Sequence, residues 1–264
     1  MSVETEQAAA VELTDRTANA LVAARTALSF AAEAADDVDN VLRRTEDEIS
    51  ELSAQANRMY DSELPERQMA IAQEAAYGIR QRINRGHEGL EDVRGELRKA
   101  SVALNAGLQT LDELEQLPGQ RGEATMLLRG RLDSLAEVIQ DAGRGTDRAG
   151  ERLEETSVDL NRLRNQPDRV HDREEAADAI RRASRGVDEG VMDVRGGLRG
   201  LRSGLEDAEP TANAAAQESV DLAMAARAAM NPTPRSAQRV QTDGAERDLR
   251  QRTSGPAQDS DRGR

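Results

Sequence analysis

Apolar residues recur at alternating steps of three and four along most of the 264-residue chain. This is the heptad pattern of long helices that pack side by side. The longest uninterrupted run predicts a helix from about Pro65 to Gln116, in which all fourteen inward positions are non-polar. These positions are Met69, Ala72, Ala76, Ile79, Ile83, Gly86, Leu90, Val93, Leu97, Ala100, Leu104, Gly107, Leu111 and Leu114. The same pattern predicts helices over residues 8–60 and 123–165, and a fourth one beyond.

Proline and glycine mark the first two breaks between these helices. Leu64 precedes Pro65 and is therefore pushed away from helical backbone angles, whereas proline fits the first turn of a new helix. The segment 117–122 contains a Pro-Gly step, which is typical of a turn. The chain should therefore reverse at both places.

The fourth helix has a start signal and an internal proline. Asp172 followed by Glu175 has the spacing of a capping box, so the helix should begin there. Pro210 interrupts the pattern, but Ala212 and Ala215 keep the apolar phase beyond it. A kinked continuation to residue 230 is favoured over a separate fifth helix.

The two halves of the chain are related by an internal repeat. Segment 189–200 matches segment 88–99, 101 residues earlier, at eight of twelve positions. The first and third helices align with an offset of 111, which matches Thr45 to Thr156. We therefore expect one helical hairpin, residues 8–116, to be copied as a second hairpin, residues 123–230.

The expected fold is all-α, a long antiparallel coiled coil or four-helix bundle formed from this duplicated hairpin. Short connections favour antiparallel neighbours. A dimer in which the hairpins of two chains pair is the alternative that the pattern leaves open. Residues 1–7 are polar and should be frayed. Residues 231–264 hold three prolines and little that can be buried, so this C-terminal tail should be disordered.

The composition supports narrow helical packing and limits the chemistry. The chain has no Cys and no Trp, and only Phe30, Tyr60 and Tyr77 are aromatic. A broad core of this size would normally contain more rings. Without Cys there is no disulfide, thiolate metal site or Cys nucleophile. The N-terminal segment has no apolar signal region and no stretch is apolar enough for a membrane span, which together predict a cytoplasmic protein.

The charge is strongly negative, at −14 for the whole chain. The tail after residue 230 carries seven Arg and five acidic residues, so the body retains 29 basic and 45 acidic residues, a net charge of −16. Such a field repels nucleic acid and anionic lipid surfaces. The expected partner is therefore another protein or a second copy of this chain.

Candidate catalytic and metal-binding residues are scarce. His87 falls beside the apolar seam and His171 in a predicted loop, and neither belongs to a Glu-x-x-His pair. The acidic clusters fall on helix positions that should face water. Phosphate-loop, calcium-loop and nucleophile-elbow motifs are absent. The sequence thus predicts no catalytic residue, metal site or cofactor, and a protein that is not an enzyme.

Glycine is unexpectedly frequent inside these helices, where each residue costs about 1 kcal/mol relative to alanine. Gly190, Gly197 and Gly204 share one heptad position next to the seam of the fourth helix. We take them as a candidate interaction surface, a groove into which a partner helix packs. Two alternatives remain open: a neighbouring helix of the same chain fills the space, or glycine loosens the bundle so that it can open.

These features favour a non-enzymatic coiled-coil scaffold or protein–protein interaction protein. The alternative function is a protein that binds a lipid or polymer surface reversibly by opening its bundle. The apolar stripe is narrow and aromatic anchors are nearly absent, which argues against binding at a membrane surface.

Overall fold

Five α-helices make up nearly all of the structure that can be described. The computed structural model describes residues 3–118, 120, 122–166 and 170–230, and these ranges contain no β-strand. The helices are α1 (Val3–Arg43), α2 (Glu46–Asp61), α3 (Pro65–Glu115), α4 (Glu123–Arg164) and α5 (Arg173–Met230). The first helix begins at Val3 rather than at residue 8, so residues 3–7 are helical and not frayed. The predicted disorder of residues 231–264 lies outside the described ranges.

The helices form a four-membered bundle, because α1 and α2 follow each other along one arm. The arm of α1 and α2 packs on α3, α3 on α4, and α4 on α5, while α5 also packs on α1 and α2. Polar pairs between neighbours record their antiparallel order. The hydroxyls of Thr17 and Thr110 lie 2.8 Å apart, and Arg131 is 2.9 Å from Glu218. The predicted all-α bundle is confirmed, and it closes within one chain.

One continuous apolar core runs along the bundle axis. All fourteen inward positions predicted for α3 are buried, as expected for a strict heptad pattern. Leu, Ala, Ile, Val and Met fill this core. Phe30, Tyr60 and Tyr77, the aromatic residues of the chain, are 51%, 42% and 50% exposed and take no part in it. The interior is thus filled by aliphatic side chains, which suits a narrow bundle.

The predicted helix over residues 8–60 is wrong in one respect, because it is interrupted at residues 44–45. The backbone N–H of Thr45 donates to the carbonyl of Leu42, three residues back, and the Thr45 hydroxyl donates to the same carbonyl. A threonine side chain that competes for a backbone carbonyl in this way loosens the regular ladder. The heptad phase continues across the break, since Leu42 and Ile49 are both buried.

A buried arginine bridges this break. Arg195 of α5 has a side chain only 9% exposed and bonds to Asp39 of α1 at 2.8 Å. It also donates to Glu46, in the first turn of α2. A charge taken out of water needs such partners to offset its desolvation. Arg195 therefore ties both parts of the interrupted arm to α5.

Helix α5 continues through Pro210. Asp172 caps the start of α5 by accepting from the N–H groups of Glu174 and Glu175 at 2.8 and 3.3 Å. Pro210 lacks the N–H that would donate to the carbonyl of Glu206, yet α5 remains one helix of 58 residues. At about 1.5 Å per residue it is roughly 87 Å long. The helix thus continues to residue 230 as predicted, and no separate helix begins at Pro210.

The internal repeat appears in the packing at a different register from the one that the sequence alignment gives. Gly89 of α3 faces Val38 of α1, and its counterpart 101 residues later, Gly190, faces Thr156 of α4. The alignment had matched Thr156 to Thr45, which is one heptad further along than Val38. A heptad pattern matches itself after a shift of seven, so the sequence could not distinguish the two registers.

Candidate interaction surface between α4 and α5

Gly190 marks the closest approach of α4 and α5. It is buried, and a Cβ atom at this position would lie 2.1 Å from Oγ1 and 3.2 Å from Cβ of Thr156. The contact with Oγ1 is too short to occur and the contact with Cβ is tight, so Thr156 or the helices would have to shift to admit a side chain here. The Thr156 hydroxyl itself donates to the carbonyl of Arg152 at 2.7 Å. Beside Gly190, therefore, the neighbouring helix α4 fills the space, which is one of the two alternatives to a partner groove given by the sequence.

Gly197 and Gly204 lie in a different environment, along an open groove. A Cβ atom on either would meet no atom of another described helix within 4 Å. Gly200 of α5 and Gly145 of α4 border the same groove, which has a volume of about 600 Å³. Three glycines of α5 and one of α4 thus leave the groove free of side chains at these positions.

The floor of the groove is apolar and its rim is charged. Ala142 and Ala149 of α4, with Val194 and Leu201 of α5, are buried beneath it. At one end Arg152 crosses between the helices and lies 3.0 Å from Asp193. Its hydrogen bond to Glu155, together with the one to Asp193, raises the pKa of its guanidinium. This ion pair links α4 to α5 at that end of the groove.

The rim also contains an arginine without an acidic partner. Arg148 borders the groove, and its Nε donates to the carbonyl of Arg144. Within the described ranges it forms no ion pair, whereas Asp141 on the same rim pairs with Arg144. A ligand in the groove would thus meet an apolar floor, the backbones of three glycines of α5 and one available guanidinium.

The sequence anticipated only part of this surface. Gly197 and Gly204 are brought together along the groove, but Gly190 is separated from it by its contact with Thr156. Gly145 and Gly200 were not selected. The glycine at residue 145 could have been found only by knowing which part of α4 faces Leu201, and the heptad pattern does not fix that register.

Little in the structure suggests acid–base or metal chemistry. His87 lies on α3 close to α4, with its Cε1 3.8 Å from where a Cβ of Gly150 would be, and His171 lies in the connection before α5. Across the described ranges, no three His, Cys, Asp or Glu side chains gather in a way that could hold a metal ion. That the protein is not an enzyme stays a prediction.

No helix in the described part of the chain has the length and apolar character needed to cross a bilayer. No family model matches the chain, and no curated protein was found to be similar to it. Any function of the α4–α5 groove therefore has to be inferred from its geometry.

Proposed function

We propose that this protein is a non-enzymatic scaffold that binds a helix of another protein in the α4–α5 groove. The observation that carries the proposal is the groove itself, with an apolar floor and glycine at four bordering positions. Helices pack closely where small residues allow their backbones to approach. A partner helix seated there would pack over the apolar floor and the glycine backbones without displacing a side chain of α5.

The charge of the bundle supports a protein partner. With a net charge of −16 on residues 1–230, electrostatics opposes nucleic acid and anionic membranes. The groove rim is more balanced, because Asp141 and Asp193 stand beside Arg148 and Arg152. The proposal includes the cytoplasmic location predicted from the sequence, and it allows the partner to be a second copy of this chain.

Filling the groove tests the proposal. The double variant Gly197→Leu/Gly204→Leu places two side chains in space that is empty in the bundle. The control Gly196→Leu/Ser203→Leu adds the same bulk to exposed positions of α5 outside the groove. Both variants and the unaltered protein serve as baits in quantitative affinity purification from the source cells.

We expect at least one protein to be retained by the unaltered bait and by the control but lost from the groove variant. Light scattering on the same samples reports self-association, which the groove variant should abolish if the partner is a second copy. Retention of every interactor by the groove variant, or recovery of none by the unaltered bait, would contradict the proposal.

A further inference from the structure

A second groove lies on another side of the bundle, between α1 and α5. It has a volume of about 470 Å³ and includes Leu28, Ala32, Leu205 and Ala212 among its lining residues. Phe30, the only phenylalanine of the chain, borders it and is 51% exposed. An aromatic ring left in water beside an apolar groove is typical of a surface that contacts another segment.

The rim of this α1–α5 groove is acidic. Four carboxylates and two guanidiniums border it: Glu33, Asp36, Glu206 and Glu209 against Arg25 and Arg202. Arg202 is already bound, at 2.8 Å from Asp36 and 2.7 Å from Glu206. Glu33 and Glu209 form no ion pair with any other described residue. The rim therefore favours a cationic segment with a few apolar side chains.

The chain itself contains such a segment just beyond α5. Residues 235–252 carry five Arg and three acidic residues, with Val240 and Leu249 as their large apolar side chains. The rest of the chain is acidic, and α1 alone has eight acidic residues against three Arg. The net positive charge of residues 235–252 thus complements the acidic rim of the α1–α5 groove better than it complements the balanced rim of the α4–α5 groove.

The chain that follows Met230 is long enough to reach the α1–α5 groove. From Met230 back to Ala212, α5 rises about 27 Å at 1.5 Å per residue. An extended chain covers that distance in about eight residues at roughly 3.3 Å each. Chain that turns back after Met230 therefore brings Arg239 and Val240 level with the groove, and later residues reach further along it.

We propose that segment 235–252 of this chain docks in the α1–α5 groove. Val240 covers the apolar floor next to Phe30, and Arg239 meets the unpaired carboxylates of Glu33 and Glu209. This contact is separate from the proposed partner site between α4 and α5, and it depends on neither that groove nor its occupant.

Distance measurement between two spin labels on the full chain tests the docking. The protein has no native cysteine, so labels attach only where cysteine is introduced. One pair is Ser29→Cys, on the groove, with Gln241→Cys. The control pair is Ser134→Cys with Gln241→Cys, because Ser134 is exposed on α4, which lies diagonally across the bundle from α1.

We expect a narrow distribution of short distances for the Ser29 pair and longer distances for the Ser134 pair. Adding Glu33→Arg/Glu209→Arg should broaden and lengthen the first distribution. The matched reversal Asp133→Arg/Glu137→Arg, on exposed residues of α4, should leave it unchanged. Raising the salt from about 0.1 M to about 1 M, which shortens the Debye length from about 10 Å to about 3 Å, should also lengthen it.

Three results would overturn the docking. Equally broad distributions for both pairs would show that the segment has no fixed site, and a shorter distance to Ser134 would place it near α4. A short distance for Ser29 that disappears when labelled protein is diluted with unlabelled protein would assign the contact to a second copy.

Discussion

The contact between Gly190 and Thr156 makes a sharp prediction for the replacement Gly190→Ala. In an exposed helix interior, alanine is better than glycine by about 1 kcal/mol. At Gly190 the new Cβ would lie 2.1 Å from Thr156 Oγ1, and rotating that hydroxyl away leaves Thr156 Cβ at 3.2 Å. Overpacking of this kind costs about 1–3 kcal/mol. Less the gain in helix propensity, we expect a net loss of up to about 2 kcal/mol in the free energy of unfolding.

Gly196→Ala is the matched control, six residues away on the same helix. A Cβ at Gly196 meets no atom of another helix within 4 Å among the described residues. It should therefore stabilise the protein by about 0.5–1 kcal/mol. The two variants should differ by about 2 kcal/mol, or about 4–8 °C in Tm for a chain of this size. Urea and thermal unfolding followed by far-ultraviolet circular dichroism measure both quantities.

A double mutant isolates the steric cause. Thr156→Ala removes both the hydroxyl and the methyl group that face Gly190, so it should relieve most of the penalty of Gly190→Ala. The coupling energy between the two positions should then be favourable by about 1 kcal/mol or more. The reasoning is refuted if Gly190→Ala stabilises the protein as much as Gly196→Ala, or if Thr156→Ala gives no rescue.

Two further expectations concern the buried arginine and the competing function. Arg195→Met should lower the free energy of unfolding by about 1–2 kcal/mol in urea titrations, because it leaves Asp39 without its partner. The control is Arg199→Met, which should change the free energy of unfolding little, because Arg199 is exposed and forms no ion pair in the described ranges. In a vesicle flotation assay the protein should not float with neutral or anionic vesicles, because its exposed large apolar residues are spread over all five helices. Flotation with either kind of vesicle would favour the alternative function, a bundle that opens on a lipid surface.

The structure could be predicted best from the sequence where a single local pattern determines it. The inward face of α3 follows directly from its heptads, because every seam residue is non-polar and the helix begins at a proline. The break at residues 44–45 was missed, since neither glycine nor proline marks it and the apolar phase continues. A signal was present: Thr45 and Glu48 have the spacing of a helix start, although the Thr45 hydroxyl bonds to Leu42 instead.

The candidate surface was less predictable because it depends on what lies opposite each glycine. Gly190 and Gly197 occupy the same heptad position, but one faces Thr156 and the other faces open space. That difference arises from the register between α4 and α5, which a repeating pattern leaves undetermined. The groove beside Phe30 has the same origin, since it needs α1 and α5 side by side.

The recurrence of glycine every seventh residue on α5 has a consequence for folding kinetics. If α5 slid by one heptad along α4, Thr156 would face Gly197, which accepts it as readily as Gly190 does. At this one contact the two registers are sterically similar. The slide would, however, place Gly200 opposite Arg152 and Ala225 opposite Arg131, so the ion pairs to Asp193 and Glu218 would be lost. The native register is therefore favoured by these ion pairs and by core packing, because the slide would replace the buried Leu201 and Leu205 by Ala208 and Ala212. Salt weakens the ion pairs and should slow the last step of refolding by populating a misaligned hairpin.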